Sequence, residues 1–186
     1  MSAYRNVIMA GFGGQGVMLI GNLLAQAAME KGLHVTFVPA YGVEMRGGTA
    51  NCTVVLDDKP IGSPVVQRPL SLIALNQPSH DKFQGKLVPR GIQIVNSSLV
   101  DSDRIKTDLT SVLIPVNDMA HRLGNPRLLN MVALGAWVYA TRALPLESVQ
   151  EALHRVISSH YAKLIPANAA ALAMGFDFAR ECGRRG

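Results

Sequence analysis

Asn6-Val7-Ile8-Met9-Ala10 runs without a break into Gly11-Phe12-Gly13-Gly14-Gln15-Gly16, and this leads directly into a helical pattern from Val17 to about Met29. A short apolar run, a glycine turn and a helix in immediate succession restrict the chain to folds in which a strand passes into a helix at its own carboxyl end. The turn has the spacing G-x-G-x-x-G. Its glycines permit a tight bend and a close approach by another group, and the unpaired N–H groups of a helix start attract phosphate. An anion is the expected occupant. The same glycines also serve close strand-to-helix packing, so the motif by itself does not decide the matter.

Five further runs have the look of strands: His34 to Val38, Thr53 to Leu56, Leu72 to Leu75, Ile92 to Val95 and Val112 to Val116. Most lack strict polar alternation, as strands covered on both faces do. Thr49 to Leu56 alternates more and ends in Asp57-Asp58-Lys59-Pro60, which suits an antiparallel member of a mixed sheet. After about residue 117 the pattern is helical. Asn125-Pro126 caps a helix to about Thr141, Pro145 and Glu147 start another, and Ala167 to Ala179 forms a last one. In the second of these, Leu146, Val149, Leu153, Val156 and Ile157 share one apolar face. The expected fold class is α/β, a three-layer α/β/α Rossmann-like sandwich with a mixed, mostly parallel sheet. No repeat or linker divides residues 1–186, and a single domain is expected.

Composition narrows the function classes. The two cysteines, Cys52 and Cys182, are far apart and lack partners at ligand spacing, which argues against a disulfide framework, a zinc site or a four-cysteine cluster. No metal site is expected. The longest apolar stretch, Met131 to Ala140, is ten residues, against the roughly 20 that span a bilayer. The first residues enter a strand rather than a signal-peptide apolar region, and a cytoplasmic protein is expected. A net charge of +5 arises from scattered bases with few aromatics, so nucleic acid is not the expected partner. A small polyanion or an acidic partner subunit suits that charge.

A dinucleotide site would need an acidic residue at the end of the second strand to hold the ribose. That end reads Val38-Pro39-Ala40-Tyr41, with no carboxylate before Glu44. NAD(P) is therefore disfavoured. A second constellation, Tyr41-Gly42-Val43-Glu44-Met45-Arg46-Gly47-Gly48, places polar residues on a glycine-punctuated loop, and Arg46 could grip a phosphate or carboxylate there. Asn76-Gln77, Asn96-Ser97-Ser98 and Asn117-Asp118 follow predicted strands. Together with the glycine loops they outline the carboxyl edge of the sheet, where ligands bind in open α/β folds. Each is also an ordinary candidate for a cap or turn. Nucleophile elbow, P-loop lysine and paired metal-binding histidines are all missing, and no catalytic residue is assigned. Asn130, inside a very apolar helix, needs a buried hydrogen-bond partner or an interface.

The two glycine motifs, with Ile61-Gly62-Ser63-Pro64, Ala74-Leu75-Asn76-Gln77, Val95-Asn96-Ser97-Ser98, Asn130-Met131-Val132-Ala133-Leu134-Gly135-Ala136 and Leu144-Pro145-Leu146-Glu147-Ser148-Val149, resemble the gamma subunit of 2-oxoacid:ferredoxin oxidoreductases. The likeness covers nearly the whole chain. It implies a subunit of an enzyme that oxidatively decarboxylates a 2-oxoacid with coenzyme A to acyl-CoA, carbon dioxide and reduced ferredoxin. It also implies thiamine diphosphate and iron–sulfur clusters on alpha, beta or delta partners and none on this chain, which lacks a Gly-Asp-Gly thiamine motif. Gly11, Gly13, Gly14, Gln15 and Gly16 carry over as neighbours of coenzyme A, with Arg46 as a further candidate. Tyr41, Gly42, Glu44, Gly47, Gly48, Asn76, Asn96 and Ser97 carry over as interface or loop positions. The resemblance implies alpha and beta partners, contact with ferredoxin through the complex and an inactive isolated chain, and it leaves homodimerisation of that chain open. The alternatives are an indolepyruvate ferredoxin oxidoreductase beta subunit, which shares the first glycine loop, and a stand-alone NAD(P)-binding protein.

Overall fold

The computed structural model describes residues 4–40 and 49–184. Six strands, β1 (Arg5–Phe12), β2 (His34–Ala40), β3 (Thr49–Asp57), β4 (Ser71–Ala74), β5 (Ile92–Asn96) and β6 (Thr110–Ile114), form one sheet in the order β2-β3-β1-β4-β5-β6. β1, β4, β5 and β6 are parallel, and β3 runs antiparallel to both of its neighbours. The mixed sheet expected from the sequence is present, with the alternating segment as its antiparallel member.

Among the described residues six helices accompany it: α1 (Val17–Glu30), α2 (Gln77–Phe83), α3 (Val116–Arg122), α4 (Leu129–Thr141), α5 (Leu146–Val156) and α6 (Ile165–Gly183). They divide unequally between the faces. Val7, Met9, Cys52, Val54, Leu56, Ile73 and Ile94 point into one large core shared with α1, α4, α5 and α6. The alternate residues Ile8, Ala10, Leu72 and Ala74 point the other way, where the core cluster adds Phe83 of α2 with Leu87 and Leu109. The third layer of the sandwich is therefore thin. β2 departs from the expectation of strands covered on both faces, since it is an edge strand and Val38 is 41% exposed. Pro39, which has no N–H to offer a further strand, suits that edge.

Packing explains the helices. α1 lies so close to the sheet that a Cβ on Gly21 would come within 2.5 Å of Cys52 Sγ and 2.7 Å of the Phe37 ring. α4 is apolar all round because it is enclosed by the sheet on one side and by α3 and α6 on the others. Where α4 and α6 cross, a Cβ on Gly135 would meet the Leu172 carbonyl and one on Gly175 the Val132 carbonyl, so the two backbones touch. Trp137 Nε1 donates to Ser71 Oγ at 2.8 Å and ties α4 to the start of β4. The helix expected from Asn125-Pro126 begins as a 3-10 turn, Pro126–Leu128, with Asn125 Oδ1 accepting from Arg127 N at 3.1 Å. In α5, Val149 and Leu153 are buried, Leu146 and Val156 pack against the core and Glu151 and Arg155 face water, as their spacing predicts, while Ile157 packs on the core from just beyond the helix end.

Candidate functional site

The chain leaves β1 through α1 towards the β2 side and leaves β4 through α2 towards the β5 side. The chain therefore reverses its direction of winding at the carboxyl ends of β1 and β4, the usual ligand position in open α/β sheets. The first glycine loop stands there. Gly14 has φ 91° and Gly16 φ 74°, a left-handed conformation that an L side chain resists. Gly16 is also the residue from which α1 starts, without any side-chain cap and without an acidic residue in the first turn.

Gln15 sets the shape of the loop. Its Oε1 accepts from Phe12 N at 2.6 Å and from Asn76 Nδ2 at 3.3 Å, and its Nε2 donates to Leu75 O at 3.4 Å. A Cβ on Gly11 would stand 2.6 Å from Gln15 Oε1 and displace that side chain from its present bonds. The polar chain continues along the sheet edge. Asn96 Nδ2 donates to Leu75 O and to Asn117 Oδ1, both at 2.9 Å, while Asn96 Oδ1 accepts from Ser98 N at 3.2 Å. Asn76 Oδ1 caps α2 by accepting from Ser79 N at 2.9 Å. Asn76 and Asn96 are both buried, and their amides brace the edge from beneath. Ser97 is exposed, with its N–H bonded to Ile114 O at 3.0 Å.

The upper side of the loop is open. Gly13 and Gly14 are exposed, and a Cβ on either would meet nothing within 4 Å. Among the described residues Gln15 N bonds back to Phe12 O at 3.1 Å, whereas the N–H groups of Gly13, Gly14 and Gly16 take no protein acceptor. Those donors sit at the positive end of α1, about half an elementary charge. Asn130 holds the far side: it is buried in α4, and its Nδ2 donates to Gly16 O at 3.1 Å. That bond answers the need for a buried partner, and its span of 114 residues put it beyond local sequence signals.

The topology also bears on NAD(P). In a dinucleotide fold the second strand lies beside the first, so that its terminal carboxylate reaches the ribose. Here β3 separates them and moves the β2 end one further strand spacing away, roughly 4.8 Å. Position and residue type are both unsuited. The second glycine constellation, Tyr41 to Gly48 with Glu44 and Arg46, lies outside the described residues.

Two buried titratable groups lie elsewhere. Burial pushes the Cys52 thiol up to about 12, and Sγ contacts Val17 O at 3.6 Å, so this cysteine packs rather than reacts. His80 of α2 is buried, with Asp81 Oδ1 3.9 Å from its Nδ1 and the Gln93 side chain beside it, and desolvation, which outweighs the opposing pull of Asp81 and Gln93, holds its pKa below the usual histidine range. Among the described residues no group of three His, Cys, Asp or Glu could hold a metal ion, and no helix is long and apolar enough to cross a membrane. Beside the loop, Leu19 of the first turn of α1 joins Leu128, Val156, Ile157, Tyr161 and Leu164 in lining a groove of about 600 Å³.

Comparison with known proteins places the chain in a family. The signature described as pyruvate ferredoxin/flavodoxin oxidoreductase matches residues 6–178. The chain is 39% identical over 176 residues to the ketoisovalerate oxidoreductase subunit VorA of Methanothermobacter marburgensis, covering 94% of this chain but 36% of that protein. It thus spans about a third of the length of that relative. It is 31% identical over 180 residues to the 2-oxoglutarate synthase subunit KorC of Methanocaldococcus jannaschii, covering 95% of each. The crystal structure of a keto/oxoacid ferredoxin oxidoreductase gamma subunit from Geobacter sulfurreducens superposes with a TM-score of 0.84 at 26% identity, over 96% of this chain and 97% of that one. The chain belongs to the pyruvate ferredoxin/flavodoxin oxidoreductase family.

Proposed function

We propose that this chain is the gamma subunit of a 2-oxoacid:ferredoxin oxidoreductase, the assembly that converts a 2-oxoacid and coenzyme A to acyl-CoA, carbon dioxide and reduced ferredoxin. The observation that carries the reading is the open glycine loop on α1 combined with the displaced β2. Together they offer donors to a phosphate group but no carboxylate at the β2 end to hold free ribose hydroxyls. Coenzyme A fits that description. Gly13, Gly14 and Gly16 would donate to its phosphate oxygens, Gln15 and Asn130 would keep those donors aligned, and Arg46 is a further candidate. The catalytic share of the chain is positioning, since holding a substrate in place lowers the entropy cost of the encounter.

The residues do not suit a resident redox centre. A cluster takes four thiolates, and the chain has two cysteines, one of them a buried thiol. Thiamine diphosphate and the clusters therefore belong, in this proposal, to alpha, beta or delta partners in the cytoplasm. The groove beside the loop supports a docked role, because Leu19, Tyr161 and Leu164 are 37%, 54% and 39% exposed and a larger partner would cover them.

The test is reconstitution of the complex with this chain, followed by reduction of ferredoxin that depends on both a 2-oxoacid and coenzyme A. The chain alone is inactive. Gly13→Asp, which puts a carboxylate over the loop donors where there is open space, raises KM for coenzyme A at least tenfold and leaves KM for the 2-oxoacid unchanged. Turnover by the isolated chain, or an unchanged KM for coenzyme A in that variant, overturns the assignment.

A further inference from the structure

Two side-chain amides meet at the base of the glycine loop, and their orientations are not independent. Asn76 is buried in the link between β4 and α2. Its Oδ1 is committed to the cap of α2, where it accepts from Ser79 N at 2.9 Å, so its Nδ2 faces the other way. There Nδ2 donates to Gln15 Oε1 at 3.3 Å. The same Oε1 accepts from Phe12 N at 2.6 Å, which leaves Gln15 Nε2 for Leu75 O at 3.4 Å. The cap of one helix thus decides which way round the amide stands in the loop that leads into another.

The anchor of this chain of amides is firm. At the exposed face of α2, Gln77 Oε1 accepts from Asp101 N at 2.8 Å and Asp81 Oδ2 accepts from Arg104 Nη1 at 2.7 Å, while Phe83 joins the smaller core beneath. Leu75 is held as well, with its N–H on Ala10 O at 2.9 Å and its carbonyl shared with Asn96 Nδ2 at 2.9 Å. At the loop end Phe12 is bonded twice to Gln15, through Phe12 N to Oε1 and through Gln15 N to Phe12 O at 3.1 Å. The free donors of Gly13 and Gly14 lie within that closed turn. If the Gln15 amide turned over, Phe12 N and Asn76 Nδ2 would both face an NH2 group, and both bonds would be lost together. Residue type agrees with this double duty. Asn, Asp and Ser cap helices about equally well, but Asn alone among them carries an acceptor for the cap and a separate amide donor on the opposite arm.

We infer that Asn76 is a positioning residue for the glycine loop. By orienting the Gln15 amide it keeps Phe12 to Gln15 closed as a turn and the N–H groups of Gly13, Gly14 and Gly16 available to the phosphate of coenzyme A. The link to coenzyme A rests on the function proposed above, whereas the brace itself rests on the bonds alone. The thin layer of the sandwich thereby has a task, since α2 is the fixed support from which the loop is held.

Asn76→Asp separates this role from the cap. The carboxylate still accepts from Ser79 N, but it has no proton to give Gln15 Oε1 and repels it. In the full chain the Ser79 amide stays protected from hydrogen exchange while Phe12 N–H exchanges about tenfold faster than in wild type. Asn76→Ala, which loses the cap too, speeds both. In the reconstituted complex Asn76→Asp raises KM for coenzyme A about tenfold and leaves KM for the 2-oxoacid and kcat as they were. Protonating the buried carboxyl supplies the missing donor, so the ratio of KM values, variant to wild type, falls back towards one between about pH 8 and about pH 6. Taking the ratio at each pH cancels what His80, Asp81 and Asp118 of α2 and α3 contribute to both proteins. Unchanged Phe12 exchange in Asn76→Asp overturns the brace whatever the ligand. Faster exchange with an unchanged KM overturns the link to coenzyme A; the fault then lies with the function proposed above if Gly13→Asp is silent too, and with Asn76 if it is not.

Discussion

Replacing Gly16 by alanine probes the join between the glycine loop and α4. Gly16 sits at φ 74°, and a side chain held there costs about 1–2 kcal/mol. The new Cβ would also fall on Asn130 Nδ2. Asn130 must then turn away, which breaks its 3.1 Å bond to Gly16 O and strands a buried amide at a cost of about 1–3 kcal/mol. The sum is about 2–5 kcal/mol. At about 2–4 °C per kcal/mol for a chain of this size, the melting temperature falls by about 4–20 °C. The discriminating assay is a double-mutant cycle in urea with Asn130→Ala. Removing the amide removes the collision, so the double variant is more stable than the sum of the single losses by at least about 1 kcal/mol. Losses that add to within about 0.5 kcal/mol would refute the reasoning, because they would mean that the two residues do not touch.

Three further outcomes are expected. Gly135→Ala drives a methyl group into the Leu172 carbonyl and separates α4 from α6, costing about 3 kcal/mol or more in urea unfolding, whereas Gly13→Ala, in open space, costs less than about 1 kcal/mol. His80 is held below its ordinary pKa, so the unfolded chain takes up a proton near pH 6.5 while the folded chain still refuses it. Stability is therefore full above about pH 6.5 and declines as pH falls towards the folded pKa; His80→Leu flattens that slope in urea titrations, and an unchanged slope counts against the burial argument. In the native protein a thiol reagent modifies the exposed Cys182 and spares Cys52, whose thiol is pushed up to about 12, and both react in guanidinium; two fast thiols in the native state would contradict the packing.

The strands were legible because runs such as Asn6 to Ala10 and Ile92 to Val95 declare themselves locally, and so was the glycine loop, whose meaning depends only on its immediate neighbours. The antiparallel direction of β3 could be read from its alternation. Its position between β1 and β2 could not, since strand order is decided by pairing between distant segments and leaves no periodic trace. That one insertion removes the dinucleotide geometry, which residue types alone only disfavoured. The Asn130 amide signalled a partner without naming Gly16, and the Pro89-Arg90-Gly91 turn carried no sign that the arginine rather than the glycine would take the positive φ. The unequal layers also escaped a local reading, because α2 is only seven residues long and its periodicity is too short to assign a face.

The contact of α4 and α6 through bare backbone has a consequence for the order in which the molecule assembles. α4 is apolar apart from Asn130 over most of its length, and the surface turned away from the sheet is sealed by α6, which follows every other described element in chain order. While the sheet, α1 and α3 are already on their way out of the ribosome, the face of Leu129–Val138 turned towards α6 still lacks its cover. Native closure must wait for Leu172 and Gly175 to arrive. The interval before that arrival is when the nascent chain is most exposed to aggregation and to chaperone capture.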